Sequence, residues 1–155
     1  MQLTQYTDFA LRTLIALGLN PGEKLTVTEI SEAYGISRHH LVKVVARLAE
    51  LGFIASTRGK GGGILLAGSP SSIRVGDVVR AMEAELGVVE CLKAGGKAHG
   101  GCVIAPACRL KTVLRGATQD FLKALDNHTL EDIVRQRAPL SRLLGIAVRI
   151  ESRSV

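Results

Sequence analysis

Three cysteines, Cys91, Cys102 and Cys108, are the residues of this sequence best suited to binding a metal or an inorganic cluster. Ten residues separate the first two, and five separate the last two. This spacing differs from the C-x-x-C repeat of zinc ribbons and bacterial ferredoxins. Spacing alone therefore leaves open that the three cysteines are unrelated. An odd number of cysteines also argues against a disulfide framework.

The surroundings of the cysteines favour a metal site. Cys108 follows Pro106 at the predicted start of a long helix, where the helix dipole and free N–H groups stabilise a thiolate. Cys91 and Cys102 lie in a glycine-rich loop that could fold around an inorganic core. Three thiolates leave one ligand position open. If the metal is zinc, His99 would complete a Cys₃His set.

An iron–sulfur cluster would accept a weaker fourth ligand. A carboxylate binds cluster iron less well than a thiolate, so the iron that it holds would be the reactive one. The residues themselves do not choose among the candidates, which could come from the same chain or a partner subunit: Asp8, Glu85, Glu90 or a water molecule.

Basic residues indicate a polyanionic partner. The chain has 20 Lys and Arg against 14 Asp and Glu, a formal charge of +6, which favours nucleic acid without specifying it. Between positions 37 and 60, five basic residues face the single acidic residue Glu50. The same stretch carries the pattern of a helix-turn-helix.

The helix-turn-helix is predicted from a helix over residues 29–34 with Thr26 or Thr28 as its cap, a turn at 35–37 and a helix over 38–51. Two short β-type runs around the glycines at 59–63 then predict a hairpin, which in this position is a wing. The start of the second helix and the wing tip are the parts expected to reach DNA. The candidate contact residues are Ser37, Arg38, His39, His40, Lys43, Arg58 and Lys60.

The remaining pattern completes a mainly α fold with a small β-hairpin wing. We expect a winged helix-turn-helix domain over residues 1–86, including a first helix at 3–19 and a fourth at 75–86. A cysteine-containing cluster-binding loop is expected at 87–108. A long dimerisation helix from Pro106 to about Leu125 and a short C-terminal helix fill 106–136, because apolar residues recur there at helical spacing. Residues 145–155 are expected to be a disordered tail.

Several classes of protein are disfavoured by the sequence. No nucleophile elbow, paired acid–base constellation or phosphate-binding loop is present, because the glycines at 59–63 lack the setting of a P-loop. No apolar run reaches membrane-spanning length, and no signal peptide is recognised. We therefore expect a non-enzymatic cytoplasmic protein without a membrane partner.

Several blocks of sequence are similar to one family. The chain resembles the nitric-oxide-sensitive repressors among the iron–sulfur winged-helix regulators, a family that also includes the cluster-assembly regulator IscR. The resemblance extends to about Leu144. It is carried by MQLTQYTDFALR (1–12), YGISRHHLVK (34–43), RGKGGGI (58–64), IRVGDVVR (73–80), CVIAPACRLK (102–111) and residues 121–133.

The resemblance implies a homodimeric repressor that binds a palindromic DNA operator. Cys91, Cys102 and Cys108 would hold a 4Fe–4S cluster in preference to a 2Fe–2S cluster, with Asp8 of the partner subunit as fourth ligand. Nitric oxide would nitrosylate the cluster and release the DNA. Arg12 lies four residues from Asp8, and an ion pair between them is the structural alternative.

Two alternative regulators remain open. One is a redox or iron–sulfur-assembly regulator of the same family. The other is a zinc-stabilised winged-helix regulator with His99 as ligand and no sensing chemistry. The loop between Cys91 and Cys102 is longer than is usual in the family, which bears on both the cluster type and the fourth ligand.

Overall fold

The computed structural model describes residues 2–93 and 102–147. These residues form a mainly helical fold with one antiparallel hairpin, which confirms the predicted fold class. The elements are α1 (Gln5–Leu19), α2 (Val27–Tyr34), α3 (Arg38–Glu50), β1 (Ile54–Thr57), β2 (Gly63–Leu66), α4 (Val75–Met82), α5 (Arg109–Asp126), α6 (Leu130–Ile133) and α7 (Arg137–Leu144).

Helix α1 is the centre of the core. Ala10, Leu14 and Leu17, which recur at helical spacing, are at most 1% exposed. The helix contacts α2, α3, α4, β2, α6 and α7. The Thr4 side chain caps it by accepting a hydrogen bond from the Thr7 backbone N–H. Most of the fold is therefore positioned against α1, whereas α5 is positioned through α4.

The helix-turn-helix consists of α2, a short turn and α3. Thr26, rather than Thr28, caps α2 in a capping box with Glu29, because Glu29 accepts from the Thr26 backbone N–H at 2.6 Å and the Thr26 hydroxyl accepts from the Glu29 N–H at 3.1 Å. Gly35 ends the helix with φ of +63°, a conformation that residues with a Cβ rarely adopt. The chain can thus turn directly into α3.

The hairpin follows α3 as predicted. Ile54 pairs with Leu66, and Thr57 pairs with Gly63. Leu25 extends the sheet through two backbone hydrogen bonds with Ile64, of 2.9 and 2.8 Å. Strand β1 packs beside α3, so the wing is anchored to α3 and to the segment that leads into α2.

Helix α4 is shorter than predicted. It ends at Met82, not at residue 86, because Glu83 turns to extended backbone with ψ of 121°. The Glu83 carboxylate accepts hydrogen bonds from the Thr4 N–H at 2.7 Å and the Thr4 hydroxyl at 3.1 Å. The start of α1 is thereby tied to the end of α4.

Helix α5 begins later than predicted. Pro106 lies in a separate 3-10 turn (Ala105–Ala107), and Cys108 has extended backbone, so the helix begins at Arg109. None of its residues is buried. Leu110 and Val113 remain 60% and 64% exposed. The apolar seam that predicted a dimerisation helix is thus largely uncovered within one chain.

The C-terminal segment returns to the first domain. Thr129 and Asp132 form a capping box for α6, and the Leu130 N–H donates to the Ile73 carbonyl at 2.8 Å. Helix α7 was not predicted as a separate element. Ile146, which the sequence assigns to the tail, is buried. Residues 148–155, the rest of that tail, lie outside the described part of the chain.

Candidate DNA-binding surface and cluster-binding residues

Helix α3 presents one buried and one exposed face. Leu41, Val44, Val45 and Leu48 are buried. The seven residues expected to contact DNA are all exposed: Ser37, Arg38, His39, His40, Lys43, Arg58 and Lys60. The two faces follow from the 3.6-residue period of the helix. The geometry therefore leaves this set accessible to a macromolecular partner.

The cations on this surface are available for phosphate contacts. Among residues 2–93 and 102–147, no ion pair involves Arg38, Lys43, Arg58 or Lys60. Arg47, farther along α3, is instead paired with Glu50 at 2.8 Å. Cations outside any ion pair beside a helix N-terminus favour binding to a polyanion.

Two contacts join α3 to the first turns of α1, and the sequence pattern did not predict either of them. The Tyr6 hydroxyl donates to the Lys43 backbone carbonyl at 3.0 Å. The Phe9 ring stacks on His40 with centroids 6.5 Å apart. Neither Tyr6 nor Phe9 was among the candidate functional residues of the sequence analysis. His40 therefore lies on the flank of α3 that faces α1.

The three cysteines are free thiols at separate points of the fold. Cys91 lies in the 3-10 turn Glu90–Leu92, Cys102 is exposed, and Cys108 occupies the N-cap position of α5. In the part of the chain that the structure describes, no three His, Cys, Asp or Glu side chains are arranged to hold one metal ion. Within the described residues of one chain, the three thiols are thus not arranged as a metal site. His99, the alternative zinc ligand, lies outside the described residues.

The three carboxylates considered as fourth ligands each have a partner within the chain. Asp8 pairs with Arg12, with a hydrogen bond of 3.0 Å to Nε and an ion pair of 2.9 Å. Glu85 accepts from the Gly87 N–H at 2.8 Å, and Glu90 pairs with Lys93 and raises the pKa of that amine. The Asp8–Arg12 pair is 43% exposed on both sides. Exposed pairs of this kind contribute about 0–1 kcal/mol, so another ligand can displace Arg12.

Arg12 also reaches the helix-turn-helix. Its guanidinium lies 5.8 Å from the centroid of the Tyr34 ring, at the end of α2. Burial raises the pKa of Tyr34 to about 12, with the positive charge of Arg12 acting in the opposite direction. Tyr34 therefore stays neutral. Arg12 connects the first turn of α1, through Asp8, with the end of α2 in the DNA-binding motif.

In the described ranges 2–93 and 102–147, none of the helices has the length and apolar character needed to cross a bilayer.

Comparison with known proteins places this fold among transcription regulators. IscR from T. potens is 25% identical, with a TM-score of 0.61 over 88% of each chain. CymR, the global cysteine regulator of B. subtilis, is 23% identical, with a TM-score of 0.64 over 88% of this chain and 98% of CymR. The oxidised form of Staphylococcus aureus CymR is 22% identical, with a TM-score of 0.67 over 86% and 95%. The CymR likenesses concern the fold alone.

The family assignment comes from the sequence. The family model described as Rrf2, iron-dependent transcriptional regulator, matches residues 3–136. This match includes the helix-turn-helix, the wing, all three cysteines and the capped start of α6. Proteins of this family are transcriptional regulators and not enzymes. The chain belongs to the Rrf2 family of transcriptional regulators.

Proposed function

We propose that this protein is a cytoplasmic repressor that senses nitric oxide through an iron–sulfur cluster, similar to the regulator NsrR. The observation that carries the proposal is the presence of three free thiols, one of them at the N-cap of α5, in a chain of the Rrf2 family. The proposed operator is palindromic double-stranded DNA, bound by a homodimer.

The donor set suits a cluster chemically. Cys91, Cys102 and Cys108 are partly or fully exposed thiols outside any disulfide, and thiolates are the usual ligands of cluster iron. We assign them to a 4Fe–4S cluster, with Asp8 of the partner subunit as the fourth ligand. When bound, the cluster would supply iron that reacts with nitric oxide.

The homodimer is supported by the exposure of α5. Its apolar residues Leu110 and Val113 remain mostly uncovered, although their spacing is that of a packed helix. A second copy of α5 would remove this surface from water and stabilise the assembly by about 25 cal/mol for each Å² of apolar area. The proposed ligand set requires this dimer to bring Asp8 of one chain to the cysteines of the other.

The chain offers a route from Asp8 to the DNA-binding helix. Asp8 lies between Tyr6 and Phe9, which hold Lys43 and His40 of α3. With Asp8 bound across the dimer, the α1–α3 unit of each subunit would be tied to the cluster of the other, and the two recognition helices would keep the separation that two half-sites require. When released, Asp8 would return to Arg12. The α1–α3 contacts within each chain would remain, but the two subunits would lose that constraint.

The test uses anaerobically purified protein. We expect broad visible absorption together with iron and sulfide, and nitric oxide should bleach the absorption and reduce operator affinity in parallel. Cys102→Ala should lose the absorption and the specific binding but keep the wild-type helical content. Full operator affinity in this cluster-free variant would contradict switching by the cluster.

A second experiment tests Asp8 as a cluster ligand by comparing two carboxylate variants. Asp8→Ala should keep the three thiolate ligands but show cluster loss and DNA release at altered nitric oxide doses. Asp120→Ala removes a carboxylate that also pairs at helical spacing on an exposed surface, and should behave as wild type. Equal responses of the two variants would remove Asp8 from the proposed ligand set.

A redox or iron–sulfur-assembly regulator is the second candidate, and the likeness to IscR favours it. In that case the cluster would control DNA binding, but nitric oxide would have no greater effect than oxidants have. A colourless protein that contains zinc would instead indicate the zinc-stabilised alternative.

A further inference from the structure

Val42 is an exposed aliphatic residue on α3, at the edge of the surface that is proposed to face DNA. Its side chain is 46% exposed, whereas its neighbours Leu41 and Val44 are fully buried. Single exposed apolar residues are common and need no explanation by themselves. The position of Val42 beside residues that are expected to contact DNA indicates a role in DNA binding.

Val42 lies at the edge of the exposed face of α3. Residues three or four apart share one face of a helix, so exposed Arg38, His39 and Ala46 lie beside Val42 on the outer side. Buried Val45 lies on its core side, and exposed Lys43 follows it. His40 lies against Phe9 on the α1 side. Val42 is two residues farther along, about 200° around the helix axis, and thus points away from that contact.

We infer that Val42 reads a thymine by packing on its C5-methyl group in the major groove. Thymine is the base that presents a methyl group there. The valine side chain has no donor or acceptor, so it cannot satisfy the polar edges of the other bases. Because valine is β-branched and its χ1 angle is restricted, its methyl groups are held in one place.

The surrounding charges support a DNA base as the occupant of this position. Arg38 and Lys43 can bind phosphates on either side and draw the strip formed by Val42 and Ala46 against the base edges. This inference rests on the proposal that α3 enters the major groove. It adds a preference for a T·A pair at one position of each half-site.

The expected effect is that of one buried methyl group. Removing the thymine methyl should raise Kd by about fourfold per half-site, the factor that corresponds to the transfer of one methyl-sized group. Truncating Val42 to alanine should remove most of this discrimination, while the affinity for duplexes that already lack the methyl group should change little.

The experiment begins with duplexes selected from a random-sequence pool by the full-length, cluster-loaded protein. Each thymine of the selected site is then replaced by deoxyuridine, which lacks only the C5-methyl group. Wild type should lose affinity at one thymine per half-site, and Val42→Ala should not respond there. Leu143→Ala is the matched control, because Leu143 is an exposed aliphatic residue on α7, and it should respond as wild type does.

Two results would overturn the inference. One is wild-type affinity that is insensitive to deoxyuridine at every thymine, and the other is an undiminished penalty in Val42→Ala. Arg38→Ala separates this failure from that of the proposed DNA-reading helix. If Arg38→Ala weakens the selected site and Val42 is indifferent to the methyl group, only the Val42 assignment fails. If neither substitution changes binding, the proposal that this part of α3 reads DNA fails as well.

Discussion

Gly76 allows α4 and α5 to be joined by an ion pair. Arg80 on α4 donates two hydrogen bonds of 2.6 Å to the two carboxylate oxygens of Asp126 on α5. A Cβ at position 76 would lie 1.9 Å from Asp126 Oδ1 and 3.0 Å from Arg80 Nη1. Gly76→Ala must therefore displace the Asp126 carboxylate and break the bidentate pair.

The size of the effect should depend on residue 126. Gly→Ala at a compatible helical position stabilises a protein by about 0.4–1 kcal/mol, because the unfolded chain loses conformational freedom. Asp126→Ala removes the carboxylate nearest the added methyl, so Gly76→Ala should show this gain in that background. In the wild-type background the displaced carboxylate and the broken ion pair offset the gain, so Gly76→Ala should be less favourable there.

The assay is urea denaturation of wild type, the two single variants and the double variant. The free energies of unfolding form a double-mutant cycle, whose coupling free energy isolates the interaction between positions 76 and 126. If Gly76→Ala has the same effect in both backgrounds, our interpretation of the α4–α5 packing is wrong. This packing matters for function because α5 carries Cys108 and the proposed dimer seam, whereas α4 packs on α1.

Three further predictions concern charge, pH and capping. Arg58→Ala and Lys60→Ala should each reduce the slope of log K against log salt concentration by about one, because each variant neutralises one phosphate fewer. Arg135→Ala, an exposed cation outside the proposed surface, should leave that slope unchanged, and an equal change would refute the wing assignment. The hydrogen bonds from Arg80 lower the pKa of Asp126, so its stabilising effect is complete above the ordinary carboxylate pKa of about 4. The difference in Tm between wild type and Asp126→Asn should therefore be constant near neutral pH and shrink below about pH 4, and a difference that persists in acid would contradict this. Thr129→Ala removes the cap of α6 and should destabilise the protein by about 0.5–2 kcal/mol in denaturation, whereas Thr129→Ser should be close to wild type.

The sequence predicted the helical fold and the hairpin because these depend on local signals. The period of apolar residues in α1 and α3, the turn at Gly35 and the alternation around the wing glycines are all readable without tertiary contacts. The same signals identified the exposed face of α3. The ends of helices were predicted less accurately where a residue distant in the chain determines them. Helix α4 ends at Met82, where Glu83 turns away and bonds to Thr4, 79 positions earlier in the chain.

The family, the helix-turn-helix and the identity of the thiols are all contained in the amino-acid sequence. The connections among these parts are a property of the three-dimensional fold, which places Tyr6 and Phe9 against α3, pairs Asp8 with Arg12, and leaves Val42 exposed among cations. Local periodicity records which side of a helix is apolar, but it does not record which helix packs there. Contacts between residues distant in the chain depend on the packing of the whole fold, and that packing becomes visible only in three dimensions.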